Sequence, residues 1–159
     1  MLSYYAKLVV VPLGLSYELH KLTARLDRAA DELLEREQGI SYARFLALFA
    51  VSETNGSQRD VARWLGQTEP STSRMVTVLA DEGLLQVTRL EGAGNRRWLR
   101  LTNGGEQLVE RCCRLLEGRF EEMVHRSGVP YEPYQRHTRR LLHQLDADEN
   151  RNAGAQGSP

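Results

Sequence analysis

Between Thr68 and Leu101 the chain reads TEPSTSRMVTVLADEGLLQVTRLEGAGNRRWLRL, and its polar residues are equipped for recognition rather than for covalent chemistry. Met75, Val76 and Leu79 recur at helical spacing and form an apolar stripe, with Thr72 on its edge. Ser71, Ser73, Arg74 and Thr77 fall on the other side. Hydroxyls and a guanidinium on one face of a short helix can hydrogen-bond base edges or phosphates. Further on, Arg96 and Arg97 follow a Gly-rich tip. A short polar helix beside a basic hairpin suits insertion into the DNA major groove, with a minor-groove or phosphate contact alongside. Any solvated amphipathic helix also has a polar outer face, so the surrounding elements must decide between the two readings.

Few other groups have chemical potential. Cys112 and Cys113 are flanked by Arg111 and Arg114, cations of the kind that lower a thiol pKa, which makes the pair a candidate redox sensor. Cys112 also lies on an apolar stripe, the ordinary place of a packed structural thiol. His20, His125, His137 and His143 show no His-x-x-x-His spacing. His125, four residues after Glu121, makes the one helical pair able to chelate, and no metal site is expected. There is no Walker loop, dinucleotide fingerprint, nucleophile elbow or zinc-hydrolase helix, and Gly92-Ala93-Gly94 is a tip rather than a phosphate cradle. Neither an enzyme nor a cofactor is expected.

The 159 residues suit one domain with appended helices. The hydrophobic share of 41% supports a core, but no window approaches the ~20 apolar residues of a membrane span. The apolar start, Leu8 to Leu15, is interrupted by Pro12 and Gly14 and lacks a small-residue cleavage site; it reads as a buried helix start, not a signal peptide. Adjacent cysteines exclude a disulfide framework in practice, which implies the reducing cytoplasm. The net charge of +0 announces no polyanionic partner, although charges of opposite sign can separate in space. Nearly all basic residues are Arg, a bias that suits bidentate phosphate and guanine contacts and that genome composition also produces.

The elements that must position these residues follow from periodicity and caps. Residues 1–12 form a sticky N-terminal arm. A long helix is predicted from Leu13 to Glu37 on the recurrence of Leu15, Leu19, Leu22, Leu26 and Leu33, with Gly39 breaking it. Ser41 caps a second helix to Ser52, with Phe45, Leu48 and Phe49 inward. Ser57 opens a third, with Asp60 as in a capping box and Val61, Ala62 and Leu65 inward, ending at Gly66-Gln67. Thr68 caps the polar helix, Pro70 is tolerated in its first turn, and Gly83 ends it in a left-handed conformation. Two short helices joined by a tight turn are a helix-turn-helix, and the strands around Leu85, Val87 and Trp98 to Leu101 add a wing.

Thr102 caps a helix to Ser127 with the stripe Leu108, Cys112, Leu115, Leu116, Phe120 and Met123. A last helix, Tyr131 to Asp146, carries Tyr134, Leu141, Leu142 and Leu145, and disorder is expected over residues 147–159. The expected fold class is mainly α: a winged helix-turn-helix with a two-stranded β wing over residues 41–101. It is flanked by long dimerisation helices, N-terminal within 1–40 and C-terminal within 102–146. The flanking helices show more apolar face than so small a core covers, which predicts a homodimer. Such a dimer aims two recognition helices at half-sites ~34–36 Å apart on double-stranded DNA.

This order of elements resembles the multiple antibiotic resistance regulator (MarR) family of bacterial transcription factors. The resemblance spans residues 13–146. It is carried by Ile40 to Leu48, by Ser57 to Gly66 with its Val-Ala-x-x-Leu-Gly core, and by Thr72-Ser73-Arg74-Met75-Val76 with Leu79 and Glu82-Gly83-Leu84. Leu99-Arg100-Leu101-Thr102-x-x-Gly105 is similar to the family's strand-to-helix junction. The chain departs at the wing, where Asn95-Arg96-Arg97 stands for the family's Asp-x-Arg in a hairpin shorter by two residues, and where Val87 replaces a frequent arginine, with Arg89 nearby.

The resemblance implies a dimeric, sequence-specific transcriptional regulator, usually a repressor, on a pseudo-palindromic operator. It puts Ser71, Ser73 and Arg74 in the major groove and Arg96 and Arg97 at the wing site, with Ser57, Gln67, Thr72 and Thr77 completing the DNA-binding set. It also implies a small aromatic effector in a cleft between dimer helices and winged domain. Tyr17, His20, Arg44 and Trp64 are the candidates there, beside the plainer reading of packing or surface. Some members sense oxidants through cysteine, where Cys112 and Cys113 would enter. The competing class is a winged-helix protein-interaction module without sequence-specific DNA binding. Glu69, which would repel phosphate near the start of the polar helix, keeps that class open.

Overall fold

Ser41, Ser57 and Thr68 each accept a backbone N–H from the residue three places on, and these caps set where the helices of the winged segment begin. The computed structural model describes residues 14–54, 56–89 and 97–155. Along the chain run α1 (Leu15–Gln38), α2 (Tyr42–Glu53), α3 (Gln58–Trp64), α4 (Glu69–Asp81), β1 (Leu85–Arg89), β2 (Arg97–Leu101), α5 (Asn103–Ser127) and α6 (Tyr131–Ala155). The mainly α, winged helix-turn-helix architecture is therefore what forms, with β1 and β2 as an antiparallel pair. The N-terminal arm and the wing tip lie outside the described residues, and so does Arg96.

The chain divides into two units between Cys112 and Cys113. In the first, α2 is central and touches α1, α3, α4 and β2. Leu34, Leu48, Val61, Val76 and Leu79, drawn from four helices, are the largest apolar side chains shut off from solvent there. Each contributes about 1.5–3 kcal/mol relative to leaving it exposed, so this cluster fixes where α4 lies. Gly39, at φ 67°, ends α1, and Asp31 Oδ1 accepts the Tyr42 N–H at 2.7 Å, holding the end of α1 against the start of α2. Burial, helped by the charge of Asp27, raises the Tyr42 phenol above its usual pKa.

The wing pairs Leu85 with Leu101, Val87 with Leu99 and Arg89 with Arg97. Leu85 and Leu99 are buried, whereas Val87 is exposed. β2 is also held from its other side. The Leu99 N–H donates to the Gly56 carbonyl at 2.6 Å, and Ser57 and Trp98 form an isolated antiparallel bridge.

Thr102 joins three elements. Its hydroxyl donates to the Gly83 carbonyl at 2.7 Å and accepts the Gly105 N–H at 3.1 Å, while its own N–H reaches the Leu84 carbonyl at 3.1 Å. The exit of α4, the end of β2 and the start of α5 therefore share one residue. Gly105 lies so close to that junction that a Cβ there would stand 2.2 Å from the Leu84 carbonyl oxygen. The Thr-x-x-Gly spacing seen in the sequence is thus a cap followed by a place where no side chain fits.

In the second unit, the Tyr131 hydroxyl donates to the Glu117 carboxylate, which raises the phenol pKa, and the Phe120 and Tyr134 rings lie 6.4 Å apart. α6 does not stop at Asp146 but continues to Ala155. The expected disorder is corrected over residues 147–155, which are helical, and exposed side-chain pairs at helical spacing lie along part of that stretch. Gln144 donates to Asp148 at 3.0 Å, and Arg151 pairs with the same carboxylate. Leu141, Leu142 and Leu145 on α6 are each more than half exposed.

Candidate nucleic-acid interface

The turn from α3 into α4 sets up the site. Leu65 closes α3, Gly66 takes φ 62°, and the Gln67 N–H bonds back to the Ala62 carbonyl at 2.9 Å. The chain reverses there and leaves Thr68 extended, its hydroxyl accepting the Ser71 N–H at 3.4 Å. α4 then buries Thr72, Val76 and Leu79. Arg74, Thr77 and Val78 are exposed on the other side, with Ser71 and Ser73 part-exposed beside them.

Thr72 is a correction. Expected at the edge of the stripe and grouped with the DNA contacts, it is fully buried, in line with Val76 four residues on, and cannot reach a duplex. Met75, expected inside, is only partly covered. Ser57 is already engaged: its hydroxyl donates to Asp60 Oδ2 at 2.5 Å and accepts the Asp60 N–H at 3.1 Å. Arg97 and Ser73 meet each other, Nη1 donating to Oγ at 3.2 Å, so the wing strand is tied to α4. Gln67 is exposed at the turn. Arg74 is exposed and makes no hydrogen bond or ion pair among the described residues, which leaves its planar fork of donors available.

Two acidic groups border α4. Glu69 lies 3.7 Å from Arg59, and that solvated pair is worth only ~0–1 kcal/mol while offsetting the charge that phosphate would meet. At the other end Glu82 pairs with the Arg44 guanidinium, joining the α4 exit to α2. The sequence carries no sign of this long-range pair. It gives Arg44, a ligand candidate, a structural partner. Of the other ligand candidates, Tyr17 and His20 are exposed on α1 and Trp64 is exposed on α3, its ring steeply inclined to that of Phe49 with the centroids 5.9 Å apart. No hydrogen bond, ion pair or ring contact joins any two of the four among the described residues.

Cys112 is fully buried and Cys113 partly exposed. Burial withdraws the Cys112 thiol from the solvent access that a reactive thiolate requires. His125 Nε2 stands 3.5 Å from Glu121, and among the described residues no three His, Cys, Asp or Glu side chains are grouped to hold a metal. No helix among them is long and apolar enough to cross a membrane.

The outer face of α4 is thus braced by Arg97 and fixed by a buried face beneath, and the fold that carries it has counterparts among solved structures. No family model matches the chain. No curated protein matches it in sequence. A MarR-family transcriptional regulator from Rhodococcus is 18% identical over 84% of this chain and 95% of its own, at a TM-score of 0.71. This chain has the MarR fold. MepR of Staphylococcus aureus, solved as a complex with DNA, is 22% identical over 84% of this chain and 96% of its own, at 0.63. A Mycobacterium tuberculosis MarR-family protein, solved with salicylic acid, is 23% identical over 83% of this chain and 96% of its own, at 0.62.

Proposed function

We propose that this chain is a MarR-type transcriptional regulator, a cytoplasmic homodimer that binds a pseudo-palindromic operator and acts as a repressor relieved by a small aromatic ligand. The observation that carries the DNA-binding part is the outer face of α4. Arg74 is exposed there without a partner among the described residues, and Ser71 and Ser73 flank it on a helix whose opposite face is locked into the core. The dimer is supported by apolar surface at both ends of the chain: Leu15, Tyr17 and Leu19 on α1, and Leu141, Leu142 and Leu145 on α6. Monomeric proteins rarely leave such surface to water.

Selection of bound sites from a random duplex library tests the reading, since it returns both the operator and the half-site spacing. Two half-sites about one helical turn, ~34–36 Å, apart are expected. Failure to enrich any sequence would end the proposal. Arg74→Ala is expected to weaken binding of the selected duplex about tenfold or more at fixed salt, the scale of one bidentate arginine–guanine pair or one arginine–phosphate pair. Parallel titrations against random duplex separate the two: removing a base contact lowers specificity, whereas removing a phosphate contact weakens both duplexes alike. Ligand relief is tested by titrating salicylate into the preformed complex. Release at millimolar salicylate, with benzoate and acetate as controls, is the expected outcome; an unmoved complex removes that clause and leaves DNA binding standing.

A further inference from the structure

The outer face of α4 also carries one exposed aliphatic side chain. Val78 is 46% exposed, whereas Val76 and Leu79 beside it are buried. It stands four residues after Arg74 and seven after Ser71, so the three share one line along the helix. The two γ-methyl groups of Val78 are therefore open to whatever meets this face. Thr77, next to it, is exposed and donates its hydroxyl to the Ser73 carbonyl at 3.0 Å. That bond uses the hydroxyl's only proton, so Thr77 has no donor left for a base acceptor, and its γ-methyl is the group free to make contact.

In the major groove a C5-methyl group distinguishes thymine from every other unmodified base, and threonine methyls and small aliphatic groups read it by apolar contact. We infer that Thr77 and Val78 form a reader of pyrimidine C5-methyl groups, placing thymine in the half-site beside the position met by Arg74. This rests on the DNA-binding reading proposed above. In unmodified DNA thymine is the only source of that methyl, so the site is selected from an unmodified library.

Each thymine of the selected half-site is then replaced by deoxyuridine, which removes the methyl and keeps every hydrogen-bonding group. One or two positions are expected to lose about fourfold in affinity, the equivalent of one buried methyl-sized group. Val78→Ala and Thr77→Ser are expected to bind the thymine duplex more weakly by a similar factor and to lose discrimination against uracil. Thr77→Val, which keeps the methyl and discards the hydroxyl, retains both. Thermal melts of all three match the parent, since both side chains are exposed. Equal affinity for thymine and uracil at every position, a half-site without thymine, or discrimination that survives in both Val78→Ala and Thr77→Ser overturns the inference and leaves DNA binding intact. Retention of no duplex overturns the DNA-binding reading and the inference together.

Discussion

Replacing Gly56 with alanine is expected to cost about 3–4 kcal/mol, a large part of the ~5–15 kcal/mol that holds a small domain folded. Two separate penalties add. Gly56 has φ 77°, a left-handed conformation that costs a side-chain-bearing residue about 1–2 kcal/mol. An added Cβ would also stand 2.5 Å from the Leu99 carbonyl oxygen. β2 cannot retreat cheaply, because the Leu99 N–H donates back to the Gly56 carbonyl at 2.6 Å, and moving the two segments apart breaks that bond. Gly66→Ala is the control: its φ is 62°, but nothing lies within 4 Å of the new methyl, so only the conformational penalty applies. Urea unfolding of both variants checks the argument. A Gly56→Ala loss no greater than that of Gly66→Ala would show that the approach to Leu99 is not a constraint.

The second large effect concerns the proposed dimer. Leu141, Leu142 and Leu145 lie one and four residues apart, on one face of α6, and are 58%, 54% and 58% exposed. Covering the remaining surface of each contributes roughly 1 kcal/mol, and a two-fold axis doubles the sum. Changing all three to serine is expected to give a folded monomer, seen as an unchanged circular dichroism spectrum and a halved mass in sedimentation. Operator affinity is expected to fall about a hundredfold or more, because the second half-site is no longer engaged at the high effective concentration that a tethered partner provides. A variant that still sediments as a dimer would move the interface off α6. A monomer with undiminished affinity would mean that one recognition helix suffices.

The caps and turns of this chain are legible in its sequence for a physical reason. A cap links a hydroxyl to an N–H three residues away, so Ser41, Ser57 and Thr68 betray themselves beside an apolar period, as does Gly83 at a helix exit. Thr72 shows the limit of periodicity. One residue's step around a helix separates the edge of a stripe from its centre, and Thr72 falls on the buried side. The α6 extension is hidden for a different reason: the polar, Gly-bearing composition after Asp146 argues for disorder, while pairs such as Gln144 and Arg151 on Asp148 become visible only once the chain is helical. What no local pattern records is contact between distant segments. Arg44 with Glu82, Arg97 with Ser73, and the backbone approaches at Gly56 and Gly105 belong to this class. The candidate interface is therefore half legible: its exposed residues are, while the bonds that brace it are not.

α4 is moored at its head by Thr68, beneath by Thr72, Val76 and Leu79, and at its foot by Glu82 on Arg44 and by Thr102 on Gly83. None of these attachments passes through the side chains of Ser71, Arg74 or Val78. The helix is thus a replaceable cassette. Under the proposed DNA-binding reading, its outward letters can be rewritten to address a different DNA word at a stability change within about 0.5 kcal/mol apiece, the usual range for surface substitutions. Ser73 is the letter to leave alone, because Arg97 grips it.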